Sequence, residues 1–232
     1  MIGVETEYGL VGRRGDAVRN ARLSGGEAAG RLFTPIEREH ASSNVFLRNG
    51  GRLYLDVGSH PEYATAECAS VADLLVHERA GDELLTRLAR RAEADAAAEG
   101  EPVQLRLFKN NVDSHGNSYG CHENYSIDRA LDLPMLAGAL TPFLVTRQVL
   151  CGTGRWTADG FSISQRAEVL HAELSSMTTR ARPLINTRDE PLADPAKFRR
   201  LHVISGDSNL SEPSAMLKVG SMLAVLAAVE AA

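Results

Sequence analysis

The stretch Arg52–Glu67, Arg-Leu-Tyr-Leu-Asp-Val-Gly-Ser-His-Pro-Glu-Tyr-Ala-Thr-Ala-Glu, constrains the fold of this chain more than any other. Read as a strand, residues 52–57 put Arg52, Tyr54 and Asp56 on one face and Leu53, Leu55 and Val57 on the other. Gly58-Ser59-His60-Pro61 has turn composition, and the residues after it return beside the first strand, carrying Glu62 and Thr65. Alternation of this kind belongs to an antiparallel sheet with one packed and one solvated face. An ordinary exposed hairpin satisfies the same pattern. An Arg, a Tyr, two carboxylates and a hydroxyl within one hairpin, however, form a set suited to phosphate and metal.

The amino-terminal stretch repeats the theme. Val4-Glu5-Thr6-Glu7-Tyr8-Gly9 reads as a strand with Glu5 and Glu7 on one face, roughly 6.6 Å apart by strand rise. Two solvated glutamates on an edge strand are the simpler alternative. If both face the pocket that holds Tyr54, Asp56 and Glu62, mutual repulsion calls for divalent cations. Every candidate ligand offers oxygen, which selects Mg²⁺ or Mn²⁺ over zinc.

Composition narrows the function class. The 232 residues are 44% hydrophobic, enough for a well-buried core, and the net charge is −5 with both signs interspersed. No nucleic-acid footprint is present. Cys68, Cys121 and Cys151 are far apart and lack C-x-x-C spacing, which fits a reducing cytoplasm and neither a disulfide frame nor a zinc site. No signal peptide is visible, and the longest apolar run, Met222–Val229, is too short to span a bilayer. The expectation is a cytoplasmic protein with no membrane or nucleic-acid partner.

Further elements follow from punctuation and periodicity. Glu27–Phe33 reads as a short helix, Val45–Leu47 as a strand, and Asn49-Gly50 as the turn into the Arg52 strand. Ser70 with Asp73 three residues on caps the clearest helix, which Gly100 stops. Its charged face, including Arg87, Arg90 and Glu93, reads as solvated surface. A strand over 104–109 leads through a polar, turn-rich loop to a second strand, where His122, Asn124 and Ser126 share a face. That face is a candidate for contacting a metal or a phosphate oxygen. Asp132 caps a helix running through Leu150 that Pro142 kinks or divides. Leu201–Ile204 reads as a strand, and the helix from Ser214 onward, apolar on nearly every side after Lys218, reads as buried.

Gly152-Thr153-Gly154 lacks the Gly-Lys-Ser/Thr of a P-loop, and no G-x-G-x-x-G follows a strand. Any nucleotide must therefore rest on metals and arginines. Arg180, Arg182, Arg188, Arg199 and Arg200 supply forks suited to phosphate oxygens, although for any one of them a surface ion pair is the simpler role.

Met1–Gly9, Ser42–Cys68, Phe108–Tyr125, Pro142–Gly152 and Ile185–Lys218 together closely resemble the Pup ligase and Pup deamidase family, a branch of the carboxylate–amine ligases of the glutamine synthetase type. The resemblance runs along almost the whole chain. It implies an α+β fold in which a curved antiparallel sheet, with helices packed on one side, is a platform for ATP and Mg²⁺. It further implies that Glu5, Tyr54 and Glu62, joined by Glu7, serve the metals. Arg52 and Thr65 contact ATP, Asp56 acts as proton acceptor, and the His122-x-Asn124 pair resembles the phosphate- and metal-contacting motif of the wider superfamily. Arg188 and Arg200 are the arginines placed on ATP. Partners implied are Pup, a small disordered protein modifier, and lysine-bearing target proteins. Family members are longer, and the portion missing here includes a residue that stacks on the nucleotide base and a small C-terminal domain. Residues 1–232 thus resemble the N-terminal part of such a ligase domain. A deamidase that delivers water at the same metal site, and a non-catalytic Pup-binding fragment, are the alternatives.

Overall fold

Strand alternation along the 52–64 hairpin is realised as expected, and a large sheet grows outward from it. The computed structural model describes residues 1–15, 21–56, 58–177, 182–191 and 193–231. Val57 and Arg180, both used above, lie outside the described residues. The elements are β1 (Ile2–Glu7), β2 (Gly9–Arg14), β3 (Ala21–Arg22), α1 (Gly25–His40), β4 (Asn44–Phe46), β5 (Arg52–Asp56), β6 (His60–Ala64) and α2 (Val71–Ala98). They continue with β7 (Val103–Phe108), β8 (Cys121–Asp128), α3 (Leu133–Thr146), α4 (Gln148–Cys151), β9 (Arg155–Thr157), β10 (Gly160–Ser162), β11 (Leu170–Ser175), β12 (Arg182–Asn186), β13 (Phe198–Val203) and α5 (Glu212–Glu230).

Eight strands form one open sheet in the order β11-β12-β13-β8-β1-β6-β5-β4, and all its pairs are antiparallel except β11 with β12. A smaller sheet, β3-β2-β7, continues from β1 through Tyr8. One face of the large sheet is covered. Ile2, Val4, Cys121, Tyr125, Ile127, Leu201 and Val203 pack against Leu136, Leu140 and Leu144 of α3 and Val219, Met222 and Leu226 of α5. Leu53 and Tyr63 extend the packing to Leu32 and Phe33 of α1 and Leu85 and Leu88 of α2. Gly81 is what lets α2 lie this close, since a Cβ there would sit 2.3 Å from the Tyr63 ring. The helices lie on one side, so the opposite face of the sheet is left for chemistry.

Several boundaries differ from the sequence reading for identifiable reasons. Helix α1 runs from Gly25 to His40 because Ser24 and Glu27 form a reciprocal capping box, and Pro35 is carried inside it. The expected break at Pro142 does not occur. Pro142 stays inside α3, and the helix divides at Arg147, whose side chain is drawn into the core. Lys218, read as the polar end of an apolar helix, is itself buried at 1% exposure, its ammonium donating to the Asp207 carbonyl at 2.8 Å. Helix α5 is long and apolar enough to cross a membrane by length and composition. It packs against the sheet through Val219, Met222 and Leu226, with Met216 and Leu217 remaining exposed, so the expectation of a wholly buried helix is met on one face alone.

Candidate functional site

Pairing register determines which side chains share the open face, because directly opposed residues point the same way. Glu5 opposes Ala64 on one side and His122 on the other, and Glu7 opposes Glu62, which in turn opposes Tyr54. Asp56 opposes His60, Asn124 opposes His202, and Arg200 opposes Ser126. Five strands therefore bring Glu5, Glu7, Arg52, Tyr54, Asp56, His60, Glu62, His122, Asn124, Arg200 and His202 onto one surface. Gly120 makes room at its centre: a Cβ there would lie 2.1 Å from His122 Nε2 and 2.8 Å from Glu7 Oε1.

Two groups of ligand-bearing side chains form, each with donor atoms within 4.8 Å of one another: Glu7, Asp56 and Glu62, and Glu5, His122 and His202. In the first, Glu62 is 3% exposed, and burial, reinforced by the charges of Glu5 and Glu7, pushes its carboxyl up to about 9. Its remaining stabiliser is a hydrogen bond with the Tyr54 hydroxyl, whose own proton is held far more tightly than usual by burial and by Glu62. Glu7 is raised by burial but lowered on balance by His60, whose Nδ1 lies 3.4 Å from Oε2, and by His122.

The second group is better compensated. Burial raises Glu5, yet the His122 contact (3.3 Å), with help from His202 and Arg200, brings it down to about 2. Asn124 donates to Glu5 Oε1 at 3.1 Å. His202 is driven down to about 3, first by burial and then by His122, so it is a neutral imidazole at neutral pH. Arg200 stands 3.0 Å from its Nδ1. A guanidinium only donates, so Nδ1 accepts and the ring proton sits on Nε2. That buried Nε2 has no hydrogen-bond partner and lies 4.0 Å from Glu5. In this tautomer His202 offers an N–H to an oxyanion rather than a lone pair to a metal.

The remaining expected residues are placed as follows. The Arg52 guanidinium lies over the Tyr54 ring (4.5 Å) and donates to Asn44 Oδ1 at 2.8 Å. The Thr65 hydroxyl accepts from the Val4 N–H and donates to the Ala66 carbonyl, tying β6 to β1. The arginine cluster separates by strand parity. Arg200 faces the site, whereas Arg199 turns away to the Leu131 carbonyl and Asp189. Arg188 is exposed, within electrostatic reach of His202. Arg182 lies at the start of β12, donating to the Ser118 carbonyl at 3.4 Å. Sequence reasoning missed His60, taken as turn punctuation, and His202, although its two-residue spacing from Arg200 carried the signal. Past His60, whose ring sits 4.7 Å from that of Tyr119, the face opens into a pocket of about 1130 Å³.

Three carboxylates, Glu5, Glu7 and Asp56, around the buried carboxyl of Glu62 offer oxygen donors that fit a hard divalent cation such as Mg²⁺. Imidazole, guanidinium and amide donors beside them fit phosphate oxygens. Comparison with known proteins identifies the family. The Pup-ligase protein family model matches residues 1–232. The Pup–protein ligase of Corynebacterium diphtheriae is 56% identical over 231 residues, covering 100% of this chain and 48% of that protein. The Pup–protein ligase of Mycolicibacterium vanbaalenii is 54% identical, covering 100% and 51%. Among solved structures, the complex between the prokaryotic ubiquitin-like protein Pup and its ligase PafA superposes with a TM-score of 0.89 at 51% identity, over 99% of this chain and 47% of that one. The ligase PafA in complex with ADP superposes with a TM-score of 0.74 at 52% identity, over 90% and 47%. The chain spans about half the length of the curated relatives it matches. With the family model and the curated relatives matching along its whole length, the chain belongs to the Pup-ligase family.

Proposed function

We propose that this chain forms the metal- and phosphate-handling part of an ATP-dependent ligase. It would join the side-chain carboxylate of Pup's C-terminal glutamate to a lysine amine of a target protein through a glutamyl phosphate. The observation that carries this reading is the convergence of Glu5, Glu7, Asp56 and Glu62 on the open sheet face, in a chain 51–52% identical to ligases solved with Pup and with ADP. The relatives are named for ligation, which favours it over deamidation.

Each residue has a role set by its chemistry. Glu7, Glu62 and Glu5 hold Mg²⁺, with Tyr54 keeping Glu62 in place. When bound, Mg²⁺ neutralises the triphosphate, the main requirement of phosphoryl transfer. His122, Asn124, Arg200 and the Nε2–H of His202 direct donors at phosphate oxygens, with Arg52 at the Tyr54 edge and Arg188 from the exposed side. Thr65 supports the nucleotide end by fixing β6 to β1. The incoming lysine is an ammonium in water and attacks only as a free amine, so a proton must leave it. Asp56, at the hairpin tip beside Glu7, is the base in this reading. The buried cysteines fit a reducing cytoplasm.

The test is to mix the protein with Mg-ATP, Pup and a lysine-bearing acceptor and to look for the conjugate by mass. Conjugate that forms only with all three supports ligation. Pup binding without ATP consumption overturns it in favour of a binding fragment.

A further inference from the structure

One buried cation beside the carboxylate face is held without a counter-ion. Arg166 is 2% exposed, and its guanidinium forms no ion pair among the described residues. Its bonds go to neutral acceptors: the Tyr119 carbonyl at 2.7 Å, the Ile204 carbonyl at 3.1 Å and the Ser118 hydroxyl at 3.3 Å. Arg147, equally buried, has the Glu123 carboxylate instead. A buried charge without a partner is costly. Burial lowers the pKa of Arg166, and Glu7 is the largest of the charges that oppose this.

The shortest of those bonds acts on a joint of the metal face. The Tyr119 carbonyl takes a second bond from the Asn111 side chain at 3.1 Å. The other end of the same peptide is the Gly120 N–H, which helps to hold the Glu7 carboxylate ionised. The Gly120 carbonyl accepts from the Glu7 N–H at 3.1 Å, so Gly120 meets both the backbone and the side chain of Glu7. The Tyr119 ring carries His60, whose Nδ1 lies 3.4 Å from the same carboxylate. Arg166 is itself fixed, its backbone N–H donating to the Ser164 hydroxyl and the Asp207 carboxylate, each at 3.2 Å.

Resting on the metal reading above, we propose that Arg166 is a positioning residue for Glu7, acting through the Tyr119–Gly120 peptide. A carbonyl that accepts from a guanidinium is polarised, and the N–H of that amide becomes a stronger donor. Held by Gly120 and His60, the Glu7 carboxylate keeps the orientation in which it meets Asp56 and Glu62. Partners one layer behind the ligands orient them and set metal affinity. The cation also offsets the clustered negative charge without taking a coordination position. A stitch between the 164–166 and 118–119 segments is the simpler role, and the experiment separates the two.

Mn²⁺ is the probe, its free form read by electron paramagnetic resonance in titrations of wild type, Arg166→Gln, Arg166→Lys and Ser118→Ala. The Gly120 amide is followed in parallel by NMR of labelled protein in chelator. Arg166→Gln should weaken Mn²⁺ binding by about tenfold to a hundredfold and move the Gly120 amide proton upfield. Arg166→Lys keeps the charge and should recover part of both. Ser118→Ala removes only the longest bond and should bind Mn²⁺ like the wild type. A folded Arg166→Gln protein with wild-type Mn²⁺ affinity overturns the proposal, as does Ser118→Ala weakening the ion equally. Should Arg166→Gln not fold, the wild type decides: a Gly120 amide protected from solvent exchange supports the relay, and one that exchanges freely overturns it. A wild type that binds no Mn²⁺ counts against the metal reading, and the Gly120 amide response to Arg166→Gln still decides the proposal.

Discussion

Beneath the polar face, β8 carries a buried ion pair whose rupture has a calculable cost. Glu123 is 0% exposed, and Arg147 grips it with two bonds of 2.9 and 2.5 Å, while the Tyr125 hydroxyl donates to it at 2.6 Å. Arg147→Met removes the fork and keeps most of the aliphatic volume. The orphaned carboxylate then either stays charged in the core or takes a proton. Placing a proton at pH 7 on a group whose ordinary value is 4.5 costs 1.36 × 2.5, about 3.4 kcal/mol, and this caps the cost of the orphaned charge. The figure falls within the range of about 3–5 kcal/mol for breaking buried pairs. The pH signs are opposite in the two proteins. In the wild type, burial raises Glu123 but Arg147 outweighs it and holds it below its unfolded value, so that stability is present above about pH 4.5 and is lost as pH falls. In the variant Glu123 is raised, so stability is lost as pH rises. The gap between the two proteins should therefore widen by about 1.4 kcal/mol per pH unit between roughly pH 5 and 7. Urea unfolding at pH 5.5 and 7.0 reads this directly, and Glu123→Gln combined with Arg147→Met should recover part of the loss. A single variant that costs less than about 1 kcal/mol at both pH values would refute the reasoning.

Two further outcomes concern the open face. Glu62→Gln removes the carboxyl that its buried neighbours repel, so the metal-free variant in chelator should melt above the wild type at pH 7.5, whereas the rise given by Mg-ADP should largely vanish; a preserved rise rules Glu62 out as a ligand. Asp56→Asn keeps the side-chain volume but not the base, so conjugation measured by mass should fall by roughly 10²–10⁴ while the Mg-ADP shift changes little. An Asp56→Asn protein that conjugates at the wild-type rate removes the proton-acceptor role.

Much of this site was legible because a strand repeats every two residues. Glu5 with Glu7, Tyr54 with Asp56, and His122 with Asn124 could each be assigned to one face from alternation alone, and the register then joined those faces. What stayed hidden depends on partners distant in the chain. Lys218 looked like the polar end of a helix, because nothing nearby announces that the Asp207 carbonyl, the Cys121 sulfur and the charge of Glu123 await it. Arg147 divides its helix rather than Pro142 because Glu123, on another element, draws the guanidinium inward. His60 and His202 were passed over for a related reason. A histidine in a turn or among apolar residues gains its meaning only from the groups that converge on it.

The two halves of β8 explain why a buried ion pair belongs beneath a catalytic face. Glu123 lies between His122 and Asn124 in sequence and points to the opposite side of the sheet. A register slip of one residue would send His122 and Asn124 into the core and Glu123 into the open face. Tyr125 and Ile127 resist such a slip further along the strand, whereas Cys121 is small and Gly120 has no side chain to object. A bidentate arginine does resist it, because a carboxylate has only one way to meet a fixed guanidinium fork. Replacing the pair with well-packed apolar groups is often neutral for stability. The pair sits on the strand where alignment matters most, because Glu5, His122 and His202 meet only when β1, β8 and β13 are aligned residue for residue.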